Sequence, residues 1–306
     1  MVWCVGEAIW EIIFMDDKPV LALPGGSMLN TAVSLGRARI PVAMITDTGK
    51  DEPGDIITSF LNENAVNTDS MVQFDDGSTA ISLAFLDQER KARYRFFKLF
   101  PSNRVPGRFP EPVSGDIILF GSYHSLNPAI RDPVLGFLQK GKQNGAWILY
   151  DPNFRKSHSH EREQLLPKIT ENMELAHVVR GSDEDFLLIF ASTDADTTYR
   201  QMTRNSKAIL FYTRGKDGVE VRYGGNSSLY PVIPVDPVST IGAGDGFNAG
   251  IIYGMTILGM NQRTAGWISP QEIEVMASFG IRFASEVCRN LENYISPSFV
   301  NSLVHD

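Results

Sequence analysis

Residues 238–250 carry the side chains and turns best suited to chemistry in this chain. They read Val-Ser-Thr-Ile-Gly-Ala-Gly-Asp-Gly-Phe-Asn-Ala-Gly, and an apolar run at helical spacing follows. A glycine-rich turn at a helix start points backbone N–H groups and the positive end of the helix dipole at one spot, which suits an anion. Asp245 lies beside that spot. An anion hole at Gly242, Ala243 and Gly244 next to this carboxylate fits phosphoryl transfer to a hydroxyl.

Two more glycine-rich turns border predicted elements. Gly25 and Gly26 precede the first long predicted helix, and paired glycines let a small ligand approach the backbone while Asn30 offers a donor and acceptors. Residues 213–218 (Thr-Arg-Gly-Lys-Asp-Gly) follow a predicted buried strand, where such a turn can lie against a nucleotide. A plain tight turn at the first segment and a hairpin loop at the second are the open alternatives.

Charged side chains follow two other predicted strands. Arg155 ends the run Tyr-Asp-Pro-Asn-Phe-Arg, and its planar guanidinium can pair with a phosphate or form a surface salt bridge. Residues 180–185 read Arg-Gly-Ser-Asp-Glu-Asp, and Ser182 is suited to cap the following helix. Glu184 and Asp185 either favour the helix dipole or lie near Mg²⁺ through water.

The composition indicates an ordinary globular protein. Its 306 residues are 43% hydrophobic and 21% charged, and a net charge of −8 without a basic run argues against nucleic acid as a partner. The apolar runs are too short to span a membrane. Two cysteines, Cys4 and Cys288, and no recognisable signal peptide lead us to expect a cytoplasmic protein. His158 and His160, in a polar loop, are expected in solvent.

Short β-rich runs alternate with helical patterns. Alternation of this kind predicts an α/β fold, with a mostly parallel sheet flanked by helices on both faces and ligands beyond the carboxyl ends of its strands. Residues 9–23 and 71–97 read as strands without helices and predict a small antiparallel accessory sheet, either a lid over a pocket or an edge hairpin. The main strands are predicted at 2–5, 42–45, 117–120, 147–150, 177–179 and 208–212, with a hairpin at 218–223 and 228–235.

The order of these motifs resembles the ribokinase/fructokinase family of ATP-dependent sugar kinases. The glycine pair with Asn30, residues 151–155, residues 213–218 and Gly-Ala-Gly-Asp at 242–245 follow in the family's order. The resemblance covers nearly the whole chain and implies one ribokinase-like domain over 1–306, with a β-lid at 9–23 and 71–97. It also implies transfer of the γ-phosphoryl group of ATP, with Mg²⁺, to a primary sugar hydroxyl.

The resemblance implies a role for each matching residue. Asp245 matches the base that deprotonates the sugar hydroxyl, and the amides of residues 241–244 match the hole for the transferred group. Asp185 matches the acidic position linked to Mg²⁺ and phosphate, with Glu184 as a further candidate through water. Implied sugar contacts are Glu11, Gly25, Gly26, Asn30, Lys98 and Arg155, and implied nucleotide contacts are Thr213, Gly215, Gly218 and Asp185.

Several positions depart from the family pattern. Ser239 replaces an aspartate that helps many relatives to hold a monovalent cation, so potassium activation stays open. Glu11 replaces a sugar-binding aspartate, and its extra methylene still allows hydroxyl recognition. Ser182 replaces the asparagine of the usual Mg²⁺ element. Residues 290–293 read Asn-Leu-Glu-Asn where relatives often have Gly-Ala, near the adenine side.

Fructose is the expected substrate, because the Gly-Glu-Ala opening at residues 6–8 and the aromatic and basic strand before Lys98 resemble fructokinases. Ribose, 2-keto-3-deoxygluconate and nucleosides are the alternatives within the family. A sugar- or nucleotide-binding protein without turnover, and a plain α/β scaffold with a capped helix, are the alternatives outside it. Exposed lid edges often pair in relatives, so the resemblance also allows a homodimer through the β-lid.

Overall fold

The computed structural model describes residues 1–204 and 206–303, in which strands and helices alternate as predicted. The strands are β1 (Val2–Val5), β2 (Ile9–Met15), β3 (Lys18–Gly25), β4 (Val42–Ile45), β5 (Asp47–Gly49), β6 (Val66–Asn67), β7 (Val72–Phe74), β8 (Ser78–Leu86), β9 (Ala92–Leu99), β10 (Ile117–Gly121), β11 (Trp147–Asp151), β12 (Val178–Ser182), β13 (Ile209–Thr213), β14 (Val219–Tyr223) and β15 (Asn226–Tyr230). The α-helices are α1 (Ser27–Arg37), α2 (Glu52–Glu63), α3 (Arg131–Gln143), α4 (Arg162–Leu175), α5 (Asp183–Phe190), α6 (Ala195–Met202), α7 (Ala243–Ile257), α8 (Pro270–Val287) and α9 (Pro297–Leu303).

The central sheet has nine strands in the order β15-β14-β13-β12-β11-β10-β1-β4-β6. The strands from β13 to β6 in this order run parallel, and β14 and β15 form an antiparallel hairpin at one edge. The mostly parallel sheet is therefore confirmed. The predicted hairpin is also present, although its second strand ends at Tyr230 rather than at residue 235.

Helices cover both faces of this sheet, as predicted. Alternate residues of β10 enter two separate cores: Leu119 belongs to the core that contains Leu29 of α1 and Ile252 of α7, whereas Phe120 belongs to the core that contains Val134 of α3. Successive side chains of a strand point to opposite faces, so an all-apolar strand supplies both cores. Burying each such side chain contributes roughly 1.5–3 kcal/mol.

A second sheet of four strands, the accessory sheet, has the order β3-β2-β8-β9. The pairs β2–β3 and β8–β9 are antiparallel hairpins, as predicted, and the two hairpins join through parallel pairing of β2 with β8. One part of the prediction was wrong: β7 pairs with β5 in a separate two-stranded sheet. Gly77, at φ +142°, turns the chain between β7 and β8 and separates the two sheets.

Several helices begin earlier than their apolar residues indicated. Helix α2 begins at Glu52, four residues before the apolar Ile56, because the side chain of Asp51 accepts a hydrogen bond from the amide of Gly54 and caps the helix. None of the helices in the described ranges combines the length and apolar character that a membrane crossing requires.

Candidate active site

A pocket lies between the accessory sheet and the carboxyl edge of the central sheet. Strands β1, β10 and β11 lead into it, which is the place where α/β sheets bind ligands. The starts of α1 and α7 close its other side. Its lining includes Glu7, Glu11, Gly26, Ser27, Asn30, Tyr94, Phe96, Lys98, Tyr123, Arg155, His158, Gly242 and Asp245.

Helix α7 begins at the predicted glycine turn. Gly242 is its N-cap, with φ +77°, a left-handed conformation that favours glycine. The amide of Ile241 donates to Ser239 Oγ at 3.1 Å, and that of Ala243 donates to the Thr240 carbonyl at 3.3 Å. Among the described residues, the amides of Gly242 and Gly244 have no protein acceptor. Two of the four predicted amides are therefore available to an anion.

The Asp245 carboxylate is held by two donors from α1. Ser27 Oγ donates to Oδ1 at 2.6 Å and Asn30 Nδ2 donates to Oδ2 at 2.8 Å. Burial raises the pKa of this carboxyl, while these hydrogen bonds and the charges of Arg155 and Arg180 lower it. Each oxygen can accept a further hydrogen bond, and the residue lines the pocket. The carboxylate is thus fixed beside the free amides of α7.

The floor of the pocket contains Glu11. Its carboxylate is buried and accepts hydrogen bonds from Asn293 Nδ2 at 2.8 Å and Ser82 Oγ at 3.0 Å. Gly25 lies behind Glu11, because a Cβ on Gly25 would come within 3.2 Å of the Glu11 Cβ. Gly26 lines the pocket at φ +117°, where a Cβ would meet the Glu7 carbonyl at 2.2 Å.

Two predicted cationic contacts also line the pocket. Lys98 Nζ, from β9, donates to Glu7 Oε2 at 2.5 Å and lies 5.1 Å from the centre of the Phe96 ring. The Arg155 guanidinium lies 4.9 Å from the centre of the Tyr94 ring. The Lys98–Glu7 ion pair connects the accessory sheet to the end of β1, so it contributes to closing the pocket.

The predicted nucleotide loop lies outside this pocket. Thr213 ends β13, Gly218 is buried, and Gly215 is exposed with open space where a Cβ would stand. Arg180 connects this loop to α7: its Nη2 donates to Thr213 Oγ1 at 2.9 Å, and a Cβ on Gly244 would meet its Nη1 at 2.4 Å. The Arg180 guanidinium therefore lies between the predicted nucleotide loop and the glycine turn.

Arg180 also forms an ion pair with a buried carboxylate. Its Nη1 is 3.2 Å from Asp151 Oδ2, which accepts a second hydrogen bond from Asn248 Nδ2 at 2.6 Å. Burial raises the pKa of Asp151 to about 6. Nε of Arg180 is buried and has no partner in the described part of the chain. Arg180 therefore keeps donor capacity for an anionic ligand.

The two acids assigned to Mg²⁺ have different surroundings. Ser182 caps α5 as predicted, Asp185 completes a capping box with it, and Asp185 Oδ1 accepts from the Phe154 amide at 2.6 Å. Both of its oxygens are therefore engaged by the protein. Glu184 is exposed, and its charge contributes, after Glu89, to the raised pKa of Lys91 at the tip of the accessory sheet.

Of the predicted site residues, the pocket brings together Glu11, Gly26, Asn30, Lys98, Arg155, Gly242 and Asp245. Sequence reasoning missed Ser27 and did not assign Arg180 a role in the site. The signal for Ser27 was a hydroxyl directly after the glycine pair.

The prediction for His158 was wrong: it lines the pocket and stacks on Tyr123, with ring centroids 4.0 Å apart. No sequence signal distinguished it from a loop histidine.

The fold and the site together define a ribokinase-like α/β kinase. A family model for pfkB family carbohydrate kinases matches residues 1–296, so the chain belongs to this family. The fructokinase of Vibrio alginolyticus is 26% identical over 256 residues, covering 82% of each chain.

Two solved structures share the fold. The fructokinase of Vibrio cholerae O395, in a form with fructose, ADP and calcium ion bound, superposes with a TM-score of 0.85 at 20% identity, covering 98% of this chain and 97% of that one. The aminoimidazole riboside kinase of Salmonella enterica, complexed with aminoimidazole riboside and an ATP analogue, has a TM-score of 0.83 at 18% identity and 99% coverage of both chains.

Proposed function

We propose that this carbohydrate kinase transfers the γ-phosphoryl group of ATP to a primary hydroxyl of its sugar, with Asp245 as the base. The observation that carries the proposal is the Asp245 carboxylate, fixed by Ser27 and Asn30 beside the free amides of α7. In phosphoryl transfer the protein mainly positions the reactants and stabilises charge. Asp245 orients the hydroxyl and accepts its proton, while the amides of Gly242 and Gly244 stabilise the phosphoryl oxygens.

The nucleotide side has groups that fit ATP phosphates. Arg180 has an unpartnered buried Nε and lies between Thr213 and Gly244, so its guanidinium can contact phosphate oxygens. The space above the exposed Gly215 leaves room for a nucleotide along the loop that Gly218 closes. We therefore assign the phosphates to Arg180 and the start of α7.

For Mg²⁺, the described residues contain no group of three or more side chains that could hold a metal ion. Magnesium often keeps several waters and binds mainly to substrate phosphates. We propose that it arrives on ATP, with Asp185 and Glu184 contacting its waters. Position 239 carries a serine, which supplies no carboxylate, and its Oγ already accepts a hydrogen bond from the Ile241 amide. We therefore propose that turnover does not require potassium.

Fructose is the proposed sugar, supported by the names of the relatives and by the polar pocket floor at Glu11 and Asn30. Ribose and 2-keto-3-deoxygluconate are alternatives without a supporting observation. One observation favours a nucleoside as the substrate. The rings of Tyr94, Phe96 and the stacked pair Tyr123–His158 line the pocket, and an aromatic base can stack on such rings.

The test is an ATP-consumption assay on a panel of these sugars and nucleosides. Replacing Asp245 with Asn should leave the fold and ATP binding intact and lower turnover at least about 100-fold. Asp132→Asn is the matched control, since Asp132 is an exposed acid in the first turn of α3. Near-normal turnover in Asp245→Asn removes Asp245 from the role of base. Ligand binding without turnover on any acceptor identifies a non-catalytic binder.

We also propose that residues 1–306 act as one cytoplasmic kinase domain whose accessory sheet serves as a lid and pairs in a homodimer. Strand β9 lies at an edge of that sheet and exposes Phe97 and Leu99, which are 54% and 64% accessible. Apolar edge strands favour pairing with another chain. The test is Leu99→Glu, which should shift the sedimenting species from dimer to monomer.

A further inference from the structure

Asn293, expected near the adenine side, is instead a buried amide that contacts Glu11 on the side away from the pocket. It is fully buried in the segment between α8 and α9, and its Nδ2 donates to Glu11 Oε1 at 2.8 Å. Ser82 donates to the other oxygen of the same carboxylate. A carboxylate with one fixed donor on each oxygen has a fixed plane, and its remaining lone pairs point in fixed directions.

The backbone of Asn293 also contacts the glycine turn. A Cβ on Gly242 would come within 2.4 Å of the Asn293 carbonyl oxygen, so the two backbones touch. The segment is itself anchored, because Arg37 donates to the Ile295 carbonyl at 2.8 Å and lies 4.7 Å above the Tyr294 ring. One residue thus contacts both Glu11 and the start of α7.

We propose that Asn293 is a positioning residue of the kinase: it fixes the Glu11 carboxylate that receives the sugar hydroxyls and holds it at a set distance from the anion hole. This inference rests on the proposed function, because it assigns Glu11 to the sugar. Asn293 does not line the pocket, so it acts through Glu11 rather than on the substrate.

The charged surroundings of Glu11 make this role testable by pH. Arg155 and Asp245 act on Glu11 electrostatically, and Glu11 in turn acts on the hydroxyls of Tyr94 and Tyr294. In Asn293→Asp, two carboxyl groups face each other and share one proton with a raised pKa. While that proton is bound, the protonated carboxyl donates to its neighbour as the amide did. When the pH rises and the proton leaves, the donor is lost and two negative charges repel.

The experiment measures the dissociation constant of D-fructose by calorimetry at pH 5.5 and 8.5, relative to wild type at each pH. Asn293→Asp should bind within about twofold of wild type at pH 5.5 and about tenfold more weakly at pH 8.5. Asn293→Ala should bind about tenfold more weakly at both pH values, because it has no donor at either. In turnover assays KM should rise by the same factor, with kcat nearly unchanged. If the ATP-consumption assay identifies another sugar or a nucleoside as the acceptor, that compound is used in these binding measurements in place of fructose.

Asn172→Ala is the control for a structural effect. Asn172 is equally buried but pairs with Arg131 and Ser125, outside the pocket, so its loss should lower the melting temperature without changing sugar affinity. A pH-independent affinity in Asn293→Asp, or wild-type affinity in a folded Asn293→Ala, overturns the positioning role alone. Absence of turnover in the wild-type protein on every acceptor overturns the proposed function, and the inference with it.

Discussion

At the scale of single residues, Asp245 depends on its neighbours for its charge state. Burial favours the protonated form of its carboxyl, while the hydroxyl of Ser27 and the amide of Asn30 favour the ionised form. A base must be unprotonated when the hydroxyl arrives. With Asp245 as the proposed base, catalysis in the acid range should depend on how much these two donors offset burial.

We predict that Ser27→Ala moves the acid limb of the kcat/KM profile upward. The rate rises with pH as Asp245 loses its proton, and because burial raises its pKa, the limb should lie above the value of about 3.9 for a free aspartate. Loss of the Ser27 donor should raise this pKa further, because the ionised carboxylate loses a hydrogen bond that favours it. A pH profile measured alongside Ser114→Ala, at an exposed serine, is the check. An unshifted limb would show that Ser27 does not tune Asp245.

An ion pair between two elements lines the pocket. Lys98 on β9 pairs with Glu7 after β1, and Glu7 also lies 3.7 Å from the buried Arg104. The Lys98 amine is partly exposed, so this bond is worth less than a fully buried pair.

Replacing Lys98 with Met should therefore lower stability by about 1–3 kcal/mol, because the mostly buried Glu7 carboxylate loses its hydrogen-bond donor and keeps only Arg104 nearby. It should raise KM for the sugar several-fold, because the accessory sheet loses its bond to the end of β1. Lys91→Met, at the exposed tip of the same sheet, is the matched control. Steady-state kinetics and urea unfolding separate the two effects, and an unchanged KM contradicts the assignment of Lys98 to the site.

At the scale of elements, the loop from Thr213 to Gly218 closes the hairpin between β13 and β14 and faces open space. Gly215 and Gly224 both have φ +51° and no heavy atom within 4 Å of an added Cβ. They lie at opposite ends of β14, and only Gly215 belongs to the proposed nucleotide loop.

Gly215→Ala and Gly224→Ala should each cost about 1 kcal/mol, because alanine is strained in the left-handed region. Only Gly215→Ala should raise KM for ATP, with KM for the sugar unchanged. Thermal unfolding and steady-state kinetics on both variants provide the measurement. If the two variants show the same KM for ATP, the loop does not contact the nucleotide.

At the scale of the whole molecule, the buried His124 and the half-buried His177 limit stability in acid. Burial lowers the pKa of His124 to about 3 and that of His177 to about 4. Nδ1 of His177 accepts a hydrogen bond from the Ile148 amide at 3.0 Å, so protonation would break that bond. Both rings are therefore neutral in the folded protein over most of the acid range.

We predict that these two histidines lower the free energy of unfolding as pH drops below about 6.5, while the raised pKa of Asp151 acts in the opposite direction. In that window the unfolded chain binds protons on these histidines and the folded chain does not, which costs up to about 1.4 kcal/mol per pH unit for each histidine. His177→Gln keeps an acceptor and should reduce the slope, whereas His160→Gln, at an exposed site, should not. Denaturant unfolding at pH 7.5 and 5.0 is the measurement. Equal slopes in all three proteins would contradict this account.

The sequence by itself determined the features that depend on neighbours along the chain. The glycine turn before Asp245, the N-cap at Ser182 and the apolar strands follow from local conformation and burial, which a short stretch of residues specifies. For the same reason the predicted fold class, an α/β protein with a mostly parallel sheet, agrees with the structure.

Only the tertiary structure decided which distant residues meet. Asn30 reaches Asp245 across 215 positions, and Asn293 reaches Glu11 across 282, so no local pattern encodes either contact. The pairing of β7 with β5, and the place of His158 in the pocket, were likewise fixed by packing between elements. The physical reason is that hydrogen bonding and burial depend on distances in space, which the chain sets only when its layers pack together.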